Sequence, residues 1–94
     1  MSVVEIAKHK PLTSHQSGIK IKNIVHEELK NNKDLIVLNF KDVDICTDSF
    51  IQQLTVILAD EITFKEFKQR VKFDNLNDFL KDLVRSKLII ASKN

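Results

Sequence analysis

A run of hydroxyl and carboxylate side chains, Thr47-Asp48-Ser49, follows two further acidic residues, Asp42 and Asp44. Side chains of this kind cap the first turn of a helix, where backbone N–H groups are free and the helix dipole is positive. The same groups can instead form a binding surface, and a phosphate on Thr47 or Ser49 would be favoured by the dipole. The acidic neighbours disfavour that phosphate, because like charges repel. Capping, partner binding and phosphorylation therefore stay open for this run.

One cysteine and three histidines are the other residues whose chemistry suits catalysis or metal binding. His9, His15 and His26 lack the i, i+4 spacing and the cysteine partners of a metal site. Cys46 is either a nucleophile paired with a distant histidine or a small buried apolar residue, and the second interpretation is favoured. Gly18 stands alone, so no glycine-rich phosphate loop is present. We predict no metal, no cofactor and no catalytic residue, and hence a protein that is not an enzyme.

Cationic and aromatic side chains interleave near the middle of the second half, at Lys65, Lys68, Arg70 and Lys72 with Phe64, Phe67 and Phe73. We call the four cations the basic stripe. Such a pattern indicates a nucleic-acid interface when the rings are exposed. The favoured interpretation is that the phenylalanines are core and the cations solvated, since Tyr and Trp, the best stacking platforms, are absent. Nucleic-acid binding is therefore the alternative function.

Length and composition predict a single domain over residues 1–94 that folds around one core. The chain is 43% hydrophobic and 30% charged, with a net charge of +2. Its only cysteine cannot form an internal disulfide, and no basic flank with a long apolar run begins the sequence. No apolar run approaches a membrane span. We therefore expect a soluble cytoplasmic protein, with acidic residues concentrated in 34–64 and basic residues on either side.

The first half predicts a strand, a helix and a second strand. Residues 3–7 are short and β-branched, and Pro11 ends that strand. The helix has caps available at Thr13, Ser14 and Ser17, ends near Asn31-Asn32, and places one apolar face at Ile21, Ile24, Val25 and Leu29. Leu35–Phe40 is almost wholly apolar, which predicts a central strand buried on both faces.

The second half predicts two helices around a third strand. A helix begins at Thr47 or Asp48, with an inward face at Phe50, Leu54, Ile57, Leu58 and Ile62. Residues 63–69 either complete it or form a separate turn, and 70–73 alternate like a strand. Asn75 or Asn77 caps a last helix that has Lys81, Asp82 and Arg85 outward and Leu76, Phe79, Leu80, Leu83 and Val84 inward. Residues 88–90 either continue this helix or form a short strand.

The resulting order is β-α-β-α-β-α, which is typical of an α/β domain with a parallel or mixed sheet covered by helices. In addition to this order, the sequence resembles the STAS-like domain family of the STAS superfamily, to which the anti-sigma-factor antagonists belong. Asn39-Phe40 and Val43 match the end of the apolar strand, and Thr47–Phe50 occupies the place of the Asp-Ser-Ser-Gly helix start. Val71–Asn77 matches the strand and Asn-Leu-Asn turn before the last helix, and 12–14 the entry to the first. The likeness spans about residues 12–90.

The resemblance implies a bacterial, non-enzymatic regulatory module that takes part in partner switching. Its partner would be a histidine-kinase-like ATPase or a sigma-factor regulator, bound by the helix start and by Asp42 and Asp44. In the antagonists the first Ser of the motif takes a phosphate, whereas this sequence has Asp48 there. A carboxylate at that place would be a fixed negative charge, and Thr47 and Ser49 would be the remaining acceptors. A homo-oligomer stays open.

Overall fold

Three short parallel strands form the sheet, and the computed structural model describes residues 1–31 and 33–93 of the chain. The strands are β1 (Ser2–Glu5), β2 (Ile36–Asn39) and β3 (Val71–Asp74), in the order β1-β2-β3. Val4, Leu38 and Phe73 lie side by side in the register. The prediction of a central strand within Leu35–Phe40 is therefore confirmed, and the sheet is parallel throughout. Parallel neighbours need long crossovers, which the helices supply.

The helices account for most of the remaining chain. They are α1 (His15–Asn31), α2 (Asp48–Gln52), α3 (Leu58–Ile62), α4 (Phe64–Arg70) and α5 (Asp78–Ser92). A π-helical segment, Gln53–Ile57, joins α2 to α3 into one continuous helical stretch over 48–62. The predicted end of the first helix falls on Asn31, while Asn32 lies outside the described residues. None of the helices within the described ranges is long and apolar enough to cross a membrane.

Helices cover one face of the sheet. Val4, Ile36 and Leu38 on that face are buried and belong to the main core cluster with residues of α1, α2 and α5. On the opposite face Val3 is 47% exposed, and Val37, although only 6% exposed, lies outside that cluster. The expectation that this segment is buried on both faces holds for the strand β2 but not for Leu35, which precedes it and is 36% exposed.

The first strand ends earlier than predicted, and the structure decides the choice left open for residues 63–69. The strand predicted over 3–7 ends at Glu5, and Ile6–His9 forms a 3-10 turn that buries Ile6 completely. Residues 63–69 were ambiguous, and most of them form the separate helix α4. Thr63 causes the break, because its φ of 83° cannot continue a helix, and its Oγ1 then accepts a hydrogen bond from the backbone N–H of Glu66 at 3.3 Å.

Asn77 caps the start of α5, because its Oδ1 accepts a hydrogen bond from the backbone N–H of Leu80 at 2.8 Å. Leu80 and Val84 are buried as predicted, but Phe79 was predicted inward and is 50% exposed. Periodicity alone does not show which apolar residues at the edge of a helix's apolar face contact the core. The predicted outward residues, Lys81, Asp82 and Arg85, are exposed. Residues 88–90 continue the helix, which leaves Ile89 and Ile90 about half exposed.

Candidate functional site

A network of amide side chains fixes the ends of the strands that lead to the Thr47-Asp48-Ser49 run. Asn39 Nδ2 donates to Glu5 Oε2 at 3.0 Å, and Asn39 Oδ1 accepts from Asn75 Nδ2 at 2.7 Å. The same oxygen accepts the backbone N–H of Lys41 at 3.0 Å. Asn75 has a φ of 57°, a left-handed conformation that asparagine tolerates. The three strand ends are thus tied together beside the segment 41–47, which we call the acidic loop.

The acidic loop is held by its backbone, so its carboxylates stay exposed. The carbonyl of Asp42 accepts from Lys10 Nζ at 3.0 Å, and the carbonyl of Asp44 accepts from Asn77 Nδ2 at 2.9 Å. Asp42 has a φ of 66°. Both aspartates are exposed, whereas Val43 between them is only 3% exposed and anchors the loop in the core. These contacts fix the loop with both carboxylates exposed, and they place the ammonium of Lys10 beside Asp42.

Ile45 is the functional candidate that the sequence did not single out. Val43 and Ile45 alternate with the two aspartates along the sequence, yet Val43 is buried and Ile45 is 70% exposed. It lines an open hollow of about 530 Å³ together with Asp44, Pro11 and Leu12. The available signal was an isoleucine between acidic residues in a short connection. Lys10 also lines the hollow, so the exposed apolar side chain has a charged residue of each sign beside it.

Thr47 is the helix cap of the three-residue run. Its Oγ1 accepts the backbone N–H of Phe50 at 3.3 Å, and its own N–H donates to the carbonyl of Leu12 at 3.3 Å. Its carbonyl accepts the backbone N–H of Ile51 at 3.3 Å. Of the three roles left open for this run, Thr47 therefore has the capping role, and its hydroxyl, N–H and carbonyl groups are all hydrogen-bonded.

Asp48 begins α2 and forms an ion pair with α5. Its Oδ2 lies 2.7 Å from Lys87 Nζ, and the side chain of Asp48 is 63% exposed while that of Lys87 is 14% exposed. The lysine stem is thus packed, and its ammonium is presented to the start of α2. Asp48 is both near the positive end of the helix dipole and bound to a cation, so its negative charge is doubly favoured. Asp48 and Lys87 are 39 positions apart in the sequence, so no local pattern predicts that they form an ion pair.

Ser49 lies in the first turn of α2 and is exposed. Within the described part of the chain its hydroxyl has no hydrogen-bond partner, and the capping role belongs to Thr47. Of the five predicted site residues, the structure places Asp42, Asp44, Asp48 and Ser49 at the surface on the acidic loop and the helix that follows it. These four residues and Ile45 are thus exposed on the acidic loop and the first turn of α2.

Cys46 is buried beneath this surface. Only 6% of the residue is exposed, and burial raises the pKa of its thiol to about 11. At neutral pH the thiol is therefore protonated, which makes it a poor nucleophile. The interpretation of Cys46 as a small core residue agrees with this environment.

The histidines lie apart from the acidic loop. His26 Nε2 is 2.6 Å from Glu61 Oε1, and Lys22 Nζ is 2.7 Å from the other carboxylate oxygen. The hydrogen bond from Lys22, and secondarily that from His26, hold the pKa of Glu61 below its ordinary value. His15 Nδ1 contacts Gln53 Nε2 at 3.2 Å. The described residues include no group of three or more metal-ligating side chains.

The basic stripe is divided between several environments. Lys65 and Lys68 are exposed on α4, and Lys72 is exposed on β3. Arg70, whose side chain is 18% exposed, lies 3.5 Å from the carboxylate of Glu66 and donates to the carbonyl of Asp34. Among the phenylalanines, Phe67 is buried and the other two are half-buried, as the core interpretation predicts. The stripe therefore offers three exposed lysines, whereas Arg70 is held by Glu66 and by the carbonyl of Asp34.

The family comparison agrees with the fold. A family model described as "STAS-like domain of unknown function (DUF4325)" matches residues 17–81, which include most of α1, all of the elements from β2 to β3 and the start of α5. No curated protein and no solved structure matches the chain significantly. The match covers more than half of the sequence, and the small α/β domain with its parallel sheet is consistent with it. The chain therefore belongs to the family of STAS-like domains.

Proposed function

We propose that this STAS-like domain is a non-enzymatic regulatory module, which binds a protein partner through the acidic loop and the start of α2. The observation that carries the proposal is Ile45, which is 70% exposed among the exposed carboxylates of Asp42, Asp44 and Asp48. An apolar anchor surrounded by charge gives an interface both its affinity and its specificity.

The surface is also prepared for binding. Hydrogen bonds from Lys10 and Asn77 fix the loop backbone, and Thr47 fixes the helix start, so little conformational entropy is lost when a partner docks. A partner with a basic rim and an apolar recess complements this surface. The resemblance to anti-sigma-factor antagonists suggests a histidine-kinase-like ATPase or a sigma-factor regulator as that partner.

Asp48 supports a form of this binding that does not depend on phosphorylation. It stands where the antagonists carry their phosphorylated serine, and Lys87 and the helix dipole both favour its negative charge. The proposal is that Asp48 supplies permanently a charge that the antagonists gain by modification. Ser49, exposed one residue later, is the group through which a phosphate could add to it.

Site-specific photo-crosslinking tests the surface. A photoreactive phenylalanine derivative at position 45 is expected to capture one protein stoichiometrically in the native cell. The matched control places the same group at position 90, because Ile90 is also apolar and 47% exposed but lies on α5. Capture of the same protein from both positions, or of none from position 45, would contradict the proposal.

Calorimetry with the captured protein then separates binding from folding. Ile45→Ser and Ser49→Ala are expected to leave stability almost unchanged, since both side chains are exposed and neither caps the helix. Ile45→Ser should weaken binding by about tenfold or more, the effect of losing an interface anchor. Asp48→Ser is less suitable as a first variant, because it also removes the partner of Lys87.

Nucleic-acid binding is the alternative, and its support is weaker because Arg70 pairs with Glu66 and Phe67 is buried. A phosphate-binding surface must lose affinity steeply as salt rises. Filter binding of single-stranded oligonucleotides at low salt distinguishes the two functions: retention that Lys68→Glu abolishes would favour the alternative, and its absence would remove it.

A further inference from the structure

A groove of about 590 Å³ lies between α4, β3 and one side of α5, and two cations of the basic stripe, Lys68 and Lys72, are among the residues that line it. Its walls are mainly apolar and include Phe64, Phe67, Phe73, Leu76 and Leu88. The aromatic rings form a continuous series, since the ring centroids of Phe67 and Phe73 are 6.1 Å apart and those of Phe64 and Phe67 are 6.4 Å apart. The groove has the volume of a ligand site and reaches from the surface to the edge of the core.

The charged residues of this groove have one sign. Lys68, Lys72, Lys81 and Arg85 line it, and no carboxylate does so among the described residues. Lys68 Nζ lies 5.7 Å from the centroid of the Phe64 ring, so one cation is already placed over the aromatic wall. An apolar groove with a cationic rim complements an occupant that is apolar in its centre and anionic at its margin.

The groove lies beside an open sheet edge. β3 is the last strand of the order β1-β2-β3, so its outer edge has no strand partner in the described parts of the chain. A strand added there would continue the sheet, with alternate side chains on its two faces. Those on the helix side, level with Val71 and Phe73, would enter the groove. Those on the other side would lie next to Lys72, which is exposed on the open face.

We propose that β3 and the groove together bind an extended acidic segment of a protein partner, in which apolar and carboxylate side chains alternate. The apolar side chains fill the groove, the carboxylates on the other side of the added strand pair with Lys72, and the rim cations attract the net negative charge of the segment. Leu76, Leu88 and Ile89 share the walls with the three phenylalanines, and these aliphatic side chains pack against the apolar side chains of a peptide better than against the flat bases of a nucleic acid. The groove shares no residue with the acidic loop, so this proposal can be tested independently of the function proposed above.

Fluorescence anisotropy with a synthetic probe tests the proposal. The probe is a labelled, end-blocked peptide that strictly alternates valine and glutamate. It is expected to bind saturably with a Kd below about 1 mM, and to slow hydrogen exchange at the amides of β3. Two control peptides have the valines and glutamates in separate blocks, or lysine in place of glutamate, and both are expected to bind at least about tenfold more weakly.

Matched variants locate the probe. Ile89→Asp, on the groove side of α5, should weaken binding at least about tenfold, whereas Ile90→Asp, equally exposed but outside the groove, should change it less than about twofold. Lys72→Glu should weaken binding by a similar factor, and Lys65→Glu, exposed on α4 but outside the groove, should not. Both pairs alter exposed side chains, so the fold is retained.

Several results would overturn the proposal. Equal binding of the alternating and the block peptide would exclude strand addition, and equal losses from Ile89→Asp and Ile90→Asp would exclude the groove. Absence of binding up to millimolar probe would exclude the occupant. Displacement of the probe by an oligothymidylate would assign the surface to nucleic acid. A dimer that only Ile89→Asp dissociates, in sedimentation equilibrium, would assign it to a second copy of the chain.

Discussion

The packing of α1 against the π-helical segment makes the single glycine of the chain a sharp test of the structure. A Cβ on Gly18 would lie 2.8 Å from Cβ of Gln53, 2.9 Å from its Cγ and 3.0 Å from the backbone carbonyl oxygen of Phe50. Carbon atoms in good contact are about 3.5–4.0 Å apart. Two of these three neighbours are a Cβ and a backbone atom, which cannot rotate away. Gly18→Ala therefore requires that the two helices move apart.

Two opposing effects set the size of the change. Alanine favours an α-helix over glycine by about 1 kcal/mol, whereas overpacking in a well-packed core costs about 1–3 kcal/mol. Gln53 cannot yield easily, because it is 5% exposed and its Oε1 already has no hydrogen-bond partner among the described residues. We therefore expect a steric cost in the upper part of that range, about 2–3 kcal/mol, which leaves a net loss of about 1–2 kcal/mol. For a domain of this size each kcal/mol lowers Tm by about 4–8 °C.

Urea denaturation followed by circular dichroism measures this change. Asn23→Ala, an exposed substitution in the same helix, is the control and should be neutral or slightly stabilising. In a Gln53→Gly background the Cβ and Cγ neighbours are gone, so the added methyl group of Gly18→Ala should cost at least about 0.5 kcal/mol less. A Gly18→Ala protein as stable as the wild type, or strictly additive effects in the double mutant, would refute the close approach of these helices.

Three further outcomes are expected. Leu38→Asp should unfold the domain in circular dichroism, because Leu38 is fully buried and an unpaired buried charge costs several kcal/mol, comparable with the total stability. A double-mutant cycle of Asp48→Ala and Lys87→Ala should give a coupling of about 0.5–1 kcal/mol that falls in high salt. Because the folded-state pKa of Glu61 is lowered, its contribution to stability is present above its ordinary pKa of 4.5 and is lost as the pH falls through the folded value. The stability advantage of the wild type over Glu61→Gln should therefore shrink below about pH 4.5 in urea melts, and an advantage that is constant with pH would contradict the pairing with Lys22.

Local sequence patterns predict the elements of this fold well where one residue property decides the outcome. The run Leu35–Phe40 is too short and too apolar for anything but a buried strand, and β2 lies within it. The apolar face of the first helix includes Ile21 and Val25, both fully buried. Thr47 was expected as a possible cap and is the cap, because capping depends only on residues within one turn.

Contacts between distant residues could not be predicted in this way. The pairing of Asp48 with Lys87 and the bond from Asn77 to the carbonyl of Asp44 depend on how α5 crosses the sheet, which no spacing within α5 encodes. The exposure of Ile45 has the same origin. Its alternation with Val43 is genuine, but the loop leaves the sheet after β2, so no second layer covers it.

α5 explains why the charge pattern of the sequence becomes two separate surfaces. Arg85 and Lys87 are two residues apart, which turns them about 200° around the helix axis. Lys87 therefore faces the start of α2 and Asp48, while Arg85 and Ile89 face the groove. One row of apolar side chains on α5 packs in the core. The groove adds a second apolar side to the helix, and this accounts for the half-exposed Ile89. Because the two surfaces meet opposite sides of α5, an exposed variant such as Ile89→Asp should leave the coupling between Asp48 and Lys87 unchanged. A changed coupling in that background would mean that α5 moves as the groove is altered, and that the two surfaces are linked.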